Sequence, residues 1–204
     1  MGDKADDGRS RQIGAIHASI SKQIAPMYDT IKERFEGVAD DLRGMNAYRY
    51  QSNISGGVQE FMEAVLFHHY LETQKLLTHS EAAEKMPGGV LLTEEDYLLG
   101  VFDMTGELMR FSVTYMATNG KLPGGDVVGE STLRQMQAMR SFLESMSVAG
   151  HQDLKGFGSK LQVTRQSLGK IENSAYGMMV RGEEKPKGWM PETKGRGSPE
   201  PENN

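Results

Sequence analysis

The chain has no cysteine among its 204 residues, which excludes disulfides, thiolate zinc sites and a cysteine nucleophile and fits an intracellular setting. It also lacks a basic excess. Its 23 Lys and Arg stand against 28 Asp and Glu, a formal net charge of −5. Any nucleic-acid binding must therefore use local basic patches, a metal or a more basic partner. There is no strand-like alternation, no internal repeat, no phosphate-binding glycine loop, no Ser/His/Asp arrangement and no Cys/His zinc signature. The first residues, MGDKADDGRSRQ, are polar and do not read as a signal peptide. The longest apolar segment, residues 97–116, has the length to span a bilayer but carries Asp103, Glu107 and Arg110. Those charges make insertion costly, so the segment reads as a buried core helix and no membrane partner is expected.

What is present is helical periodicity. An apolar stripe runs from Ile13 through Ile16, Ile20, Ile24, Met27, Ile31, Phe35, Val38 and Leu42 in steps of three and four, and Pro26 inside it is expected to kink or divide the helix. Residues 45–51 read as a short connector or helical turn. Ser55-Gly-Gly57 then opens a second helix over about 58–77, and residues 79–92, with Pro87-Gly-Gly89, read as a loop. Thr93-Glu-Glu-Asp96 reads as a capping box that starts a third long helix to about Ala117. Further helices are expected over about 128–148 and 159–180, with Leu133, Met136, Met139, Phe142, Leu143 and Met146 inward on the first. Leu161, Leu168, Ile171, Ala175, Tyr176 and Met179 are expected inward on the second. The fold class is all-α, an antiparallel bundle of long helices. It consists of a flexible lead over 1–10, a helical domain over 11–182 and a disordered tail over 183–204 that is too polar and Gly/Pro-rich to order itself. The 14 methionines are read as core and interface filling.

Two carboxylate pairs stand out: Glu60 with Glu63, and Asp103 with Glu107. Spacings of three and four put both members of a pair on one helical face. On that count Glu60 and Glu63 share their sector with Ala64, Phe67 and Leu71, and Asp103 and Glu107 share theirs with Leu99, Gly100 and Phe111, answered only by Arg110. Acids are rarely buried unless paired or metal-bound. One reading is structural, with Glu107 and Arg110 as an intrahelical ion pair and Glu60 and Glu63 on a solvated face. The other brings the four carboxylates together at mid-height of two antiparallel helices. Oxygen-only ligands favour Mg²⁺ or Mn²⁺ over zinc, and such ions support phosphodiester hydrolysis. Di-iron chemistry also uses acidic helix pairs, but none of these four acids has a histidine three residues later. His68 and His69 read as core-packed. Lys160, Arg165 and Lys170 are spread round the last helix and make no binding stripe.

The segments Gly57-Val-Gln-Glu-Phe-Met-Glu-Ala-Val-Leu-Phe-His-His-Tyr70 and Asp96-Tyr-Leu-Leu-Gly-Val-Phe-Asp-Met-Thr-Gly-Glu-Leu-Met-Arg110 closely resemble the translin-associated factor X (TRAX) branch of the translin family. Gln166-Ser-Leu-Gly-Lys-Ile-Glu-Asn-Ser-Ala-Tyr176 and Val180-Arg-Gly182 resemble its C-terminal helix, and residues 45–51 resemble its fungal members. Together these cover about 40–182. The resemblance implies the all-α translin fold, assembly with a translin-like subunit into a closed hetero-oligomer, typically an octamer, and Mg²⁺-dependent endoribonuclease activity on single-stranded RNA in silencing or tRNA processing. It implies Glu60, Glu63 and Asp103 as catalytic acids and metal ligands, with Glu107 as the fourth acid beside them, and single-stranded DNA as a further ligand. Residence in cytoplasm and nucleus follows from the same resemblance. Arg110 is the candidate nucleic-acid contact. Family members usually begin with an arginine-rich helix, which has no counterpart before Ile13, and the loop between the two acidic helices is short beside the animal proteins. The alternative from a different class is a non-catalytic, single-strand-binding scaffold for translin in which the acids are structural.

Overall fold

The computed structural model describes residues 4–124, 131–146 and 156–181. Every regular element among them is helical: α1 (Lys4–Ala39), α2 (Met45–Arg49), α3 (Gln51–Thr73), α4 (His79–Glu84), a 3₁₀ turn at Pro87–Gly89, α5 (Glu94–Asn119), α6 (Thr132–Ser145) and α7 (Phe157–Arg181). The all-α reading of the sequence is therefore met. α1 begins at Lys4, inside the stretch read as a lead, and Pro26 lies within it without dividing it. Residues 1–3, 125–130, 147–155 and 182–204 lie outside the described residues, and with them the expected tail and the expected start, at about 128, of the fourth helix.

The chain divides into two units, Met1–Glu107 with Val148–Lys160, and Leu108–Ser147 with Leu161–Asn204. In the first, α1 and α3 run antiparallel. Phe35 packs on Phe61 at 5.4 Å between ring centroids, and Tyr28, two turns earlier, meets both Phe61 at 6.1 Å and His68 at 6.2 Å. The buried face of α3 is Val58, Phe61, Met62, Val65, Leu66 and Tyr70, the helical spacing that the sequence shows. α3 starts at Gln51, well before the expected Val58, even though Gly56 and Gly57 are poor helix formers. Gln51 and Ser55 both bind Asp96 of α5, so tertiary hydrogen bonds outweigh the propensity of the glycine pair.

The segment read as a loop over 79–92 contains α4, whose start is a complete capping box. The Thr78 hydroxyl accepts from the Glu81 N–H, and the Glu81 carboxylate accepts from the Thr78 N–H. Hydrogen bonds donated by the Thr78 N–H and the Thr78 hydroxyl hold the Glu81 carboxyl below the ordinary carboxylate value. Gly88, at φ +67°, then lies against α1. A Cβ there would stand 2.6 Å from the Ala39 Cβ, so this turn requires glycine both for its left-handed backbone and for space.

In the second unit α6 and α7 are antiparallel. Gln137 donates to Glu172 at 2.9 Å, and Arg165 donates to Glu144 at 2.6 Å. α6 opens on Ser131, whose hydroxyl accepts from the Arg134 N–H. Met136, Leu143, Leu168, Ile171 and Ala175 are buried as expected. Phe142, Met146, Tyr176 and Met179, expected inward, are 65%, 36%, 69% and 73% exposed. They flank the apolar stripe, and its buried part is narrower than its apolar part.

Candidate functional site

The two acidic helices meet along a seam within the first unit. At its lower end Thr93 caps α5, its hydroxyl accepting from the Asp96 N–H at 3.1 Å. This is the N-cap hydrogen bond of the expected box. The Asp96 carboxylate is almost completely buried, 1% exposed. It accepts from Ser55 Oγ at 2.5 Å, Gln59 Nε2 at 2.9 Å, Thr93 Oγ1 at 2.9 Å and Gln51 Nε2. Four neutral donors thus compensate the lost hydration of one acid. One turn further, Gly100 brings the helices into backbone contact. A Cβ on Gly100 would lie 2.8 Å from the Met62 Cβ and 3.4 Å from both the Gln59 carbonyl oxygen and the Glu63 nitrogen. Only glycine permits this approach.

These contacts fix direction. Thr93 and Glu95 line a recess with Tyr48, Gln51 and Ser52, Asp96 binds residues 51 to 59, and Gly100 touches residues 59 to 63. Both sets of numbers rise together, so α3 and α5 run parallel where the sequence reading of the acids assumed antiparallel packing. The intervening 74–93 segment returns the chain to the start of the seam.

Glu63 is half-buried at the level of Gly100, and Glu60, a turn earlier, is exposed. Asp103 and Glu107 are half-buried and lie one and two turns beyond Gly100. At a rise of about 1.5 Å per residue, Glu60 and Glu107 sit at opposite ends of the acidic stretch, with the Glu63 backbone at the Gly100 contact and Asp103 one turn beyond it. Among the described residues, no three Asp, Glu or His side chains gather in a group able to hold a metal. His68 turns the other way, toward Tyr28 of α1 and to Glu72 at 3.6 Å. Arg110 is exposed and belongs to the second unit.

The residue that sequence reasoning missed is Lys160. Its Nζ donates to both carboxylate oxygens of Asp103, at 2.5 Å and 2.7 Å. It reaches them from the first turn of α7, where Phe157 packs edge-on against Phe102 at 5.2 Å. The only sequence signal was an aromatic–cation pair, Phe157 and Lys160, spaced one turn apart. The donor chemistry of the acids, oxygen alone, suits a hard divalent cation. A cation already spans Asp103, but it is an ammonium, and the remaining acids are strung along the seam rather than gathered round one point.

The Translin family profile matches residues 5–182. The chain is 31% identical to mouse translin-associated protein X over 183 residues, covering 78% of this chain and 60% of that protein. It is 30% identical to the Pongo abelii protein of the same name over the same shares. A Schizosaccharomyces pombe homologue of translin-associated protein X is 30% identical over 154 residues, 74% of this chain and 62% of that one. The chain thus spans about 60% of the length of these relatives. With the profile covering nearly all of the helical region and relatives at this identity on both the animal and the fungal side, the chain belongs to the translin family, among relatives named translin-associated protein X.

Proposed function

We propose that this chain is the catalytic subunit of a Mg²⁺-dependent endoribonuclease of the translin–TRAX type, cleaving single-stranded RNA in a hetero-oligomer, an octamer in the reading from family resemblance, with a translin-like partner. The observation that carries the reading is the demand for positive charge at Asp103, where a cation spans both oxygens just beyond the backbone contact of Gly100 with Glu63. Glu60, Glu63 and Asp103 would hold Mg²⁺ or Mn²⁺. Glu107 would orient a ligand from the next turn of α5, and Arg110 would meet the RNA backbone. When bound, such a cation polarises a phosphodiester and acidifies water. The contribution of the chain is position: Gly100 holds the two acidic helices at backbone contact, and the buried Asp96 network fixes their register. Processing of silencing or tRNA-derived fragments in cytoplasm and nucleus belongs to the same proposal.

A second reading draws on the same ion pair and on the absence of a ligand group among the described residues. Asp103 is neutralised by Lys160, and the described residues gather no three-ligand group, as a non-catalytic, single-strand-binding scaffold would have it. Chelation separates the two. Cleavage of a labelled single-stranded RNA by the co-purified complex is expected to vanish in EDTA, to return with Mg²⁺, and to be absent from a Glu63→Gln complex. Cleavage that is indifferent to EDTA and to Glu63→Gln overturns the metal-nuclease reading, and RNA binding without cleavage supports the scaffold.

A further inference from the structure

We propose that the cleft between α1, α3 and the turn at Gly88 binds a small aromatic anion, a flat apolar body carrying one carboxylate or phosphate. The inference stands apart from the function proposed above and uses none of its residues. The cleft lies wholly within the first unit and holds about 480 Å³, inside the range of small-ligand sites, roughly 300–1,000 Å³. Its walls are mainly apolar. Phe61 and Val65 of α3, each 6% exposed, line it with Ile24 and Ala25 of α1, and Pro87 closes one side. Tyr28 stands edge-on to Phe61 and tilted against His68, so ring faces and edges are gathered where a flat body would lie. Burial and the Glu72 carboxylate raise the Tyr28 phenol above its ordinary value, which keeps it a hydrogen-bond donor.

Charge is sorted along the cleft. α1 and α3 run antiparallel, with Phe35 at Phe61 and Tyr28 at His68, and Gly88 lies against Phe35, Glu36 and Ala39. Lys32, one turn before Phe35, and Lys85, three residues before Gly88, therefore bring two ammonium groups to the end nearer the turn. Glu72 marks the far end, where His68 already answers it at 3.6 Å. Asp29, one turn before Lys32, is the opposing charge on the α1 wall. Lys32 meets Glu36 only at 3.8 Å, in a pair 62% and 48% exposed, a weak contact that an incoming anion can replace. Lys85 forms no salt bridge among the described residues and lowers the Glu81 pKa only through space. Ammonium groups act as point charges and suit either head. A cation would meet two of them, and a neutral body would leave both unused.

The test uses the full chain co-purified with a translin-family partner, with anilinonaphthalene sulfonate as fluorescent probe. Naphthoate or naphthyl phosphate is expected to displace the probe about fivefold more tightly than uncharged naphthalenemethanol, the difference that two screened charges supply. The tighter anion names the head, and equal strength means that the site reads charge alone. Ala25→Trp, which places a large ring in the cleft from an exposed position, is expected to weaken the probe roughly tenfold. The double variant Lys32→Met with Lys85→Met should weaken it about fivefold, and Lys170→Met on α7 less than about twofold. Probe binding that survives Ala25→Trp lies elsewhere and overturns the site, as does absence of binding by wild type. Naphthalenemethanol competing as well as the anions, or a double lysine variant that binds like wild type, overturns the anion. All the substituted residues are exposed, and the competition series uses unmutated protein, so the outcome does not depend on a variant folding.

Discussion

The two ends of the α3–α5 seam hold the same chemical group in opposite ways. Asp96 and Asp103 lie two turns apart on one face of α5. Asp96 is buried and bound by four neutral side chains, three of them from α3. Asp103 is half-exposed and bound by one flexible cation from α7. A buried acid satisfied by fixed dipoles cannot exchange partners without exposing several donors at once, so it serves register. An acid answered by one long, half-buried arm has a single partner to exchange, so it can serve a ligand. Sequence position within the helix does not distinguish them; their surroundings do.

Removing the fixed end should show the largest stability effect. Asp96→Ala leaves the donors of Gln51, Ser55, Gln59 and Thr93 without their shared acceptor and strips α5 of part of its cap. At about 1–3 kcal/mol for a buried group left unsatisfied, and with some relief from water entering the recess, a loss of about 3 kcal/mol is expected. Differential scanning calorimetry should show this as a drop in Tm of roughly 10 °C. A Tm unchanged within a degree or two would mean that the network does not hold the seam.

The contrast between buried and solvated pairing sharpens further in the second unit. There α6 and α7 are joined by polar contacts, among them Glu144 with Arg165 at 2.6 Å, and Arg140 of α6 itself meets the same carboxylate at 3.2 Å. The hydrogen bond from Arg165 holds the Glu144 carboxyl below the ordinary carboxylate value. A depressed folded-state pKa contributes stability above the unfolded value and loses it as pH falls through the folded one. Glu144→Gln should therefore slightly flatten the decline in stability on acidification below about pH 4.3, the ordinary glutamate value. Urea melts of the two proteins across that range check it, and parallel pH profiles would show that the clasp contributes nothing.

Local signals were legible and long-range ones were not. Thr93-Glu-Glu-Asp96 announced the start of α5 because the cap hydrogen bond closes within three residues. Thr78-His-Ser-Glu81 carries the same signature and marks α4, but the Pro87-Gly-Gly89 turn nearby reads as loop and masks it. The early start of α3 depends on Asp96, which lies 45 residues beyond Gln51. The parallel course of α3 and α5 depends on Gly100 fitting against Met62. Neither periodicity nor propensity records such contacts. Lys160 lies 57 residues from Asp103, and the uneven spread of basic residues round α7 concealed that one of them has a dedicated partner. Phe142, Tyr176 and Met179 show the converse: helical spacing marks an apolar stripe without saying how much of it the chain covers.

Cleavage of a labelled single-stranded RNA by the intact complex carrying Asp103→Asn, measured beside its melting temperature, tests the role of Asp103 most directly. The predicted result is a cleavage rate lowered at least a hundredfold, about 2.7 kcal/mol of transition-state stabilisation, with Tm within about 2 °C of wild type. A rate undiminished in a folded, assembled complex would contradict it, leaving Asp103 and Lys160 as an ordinary ion pair.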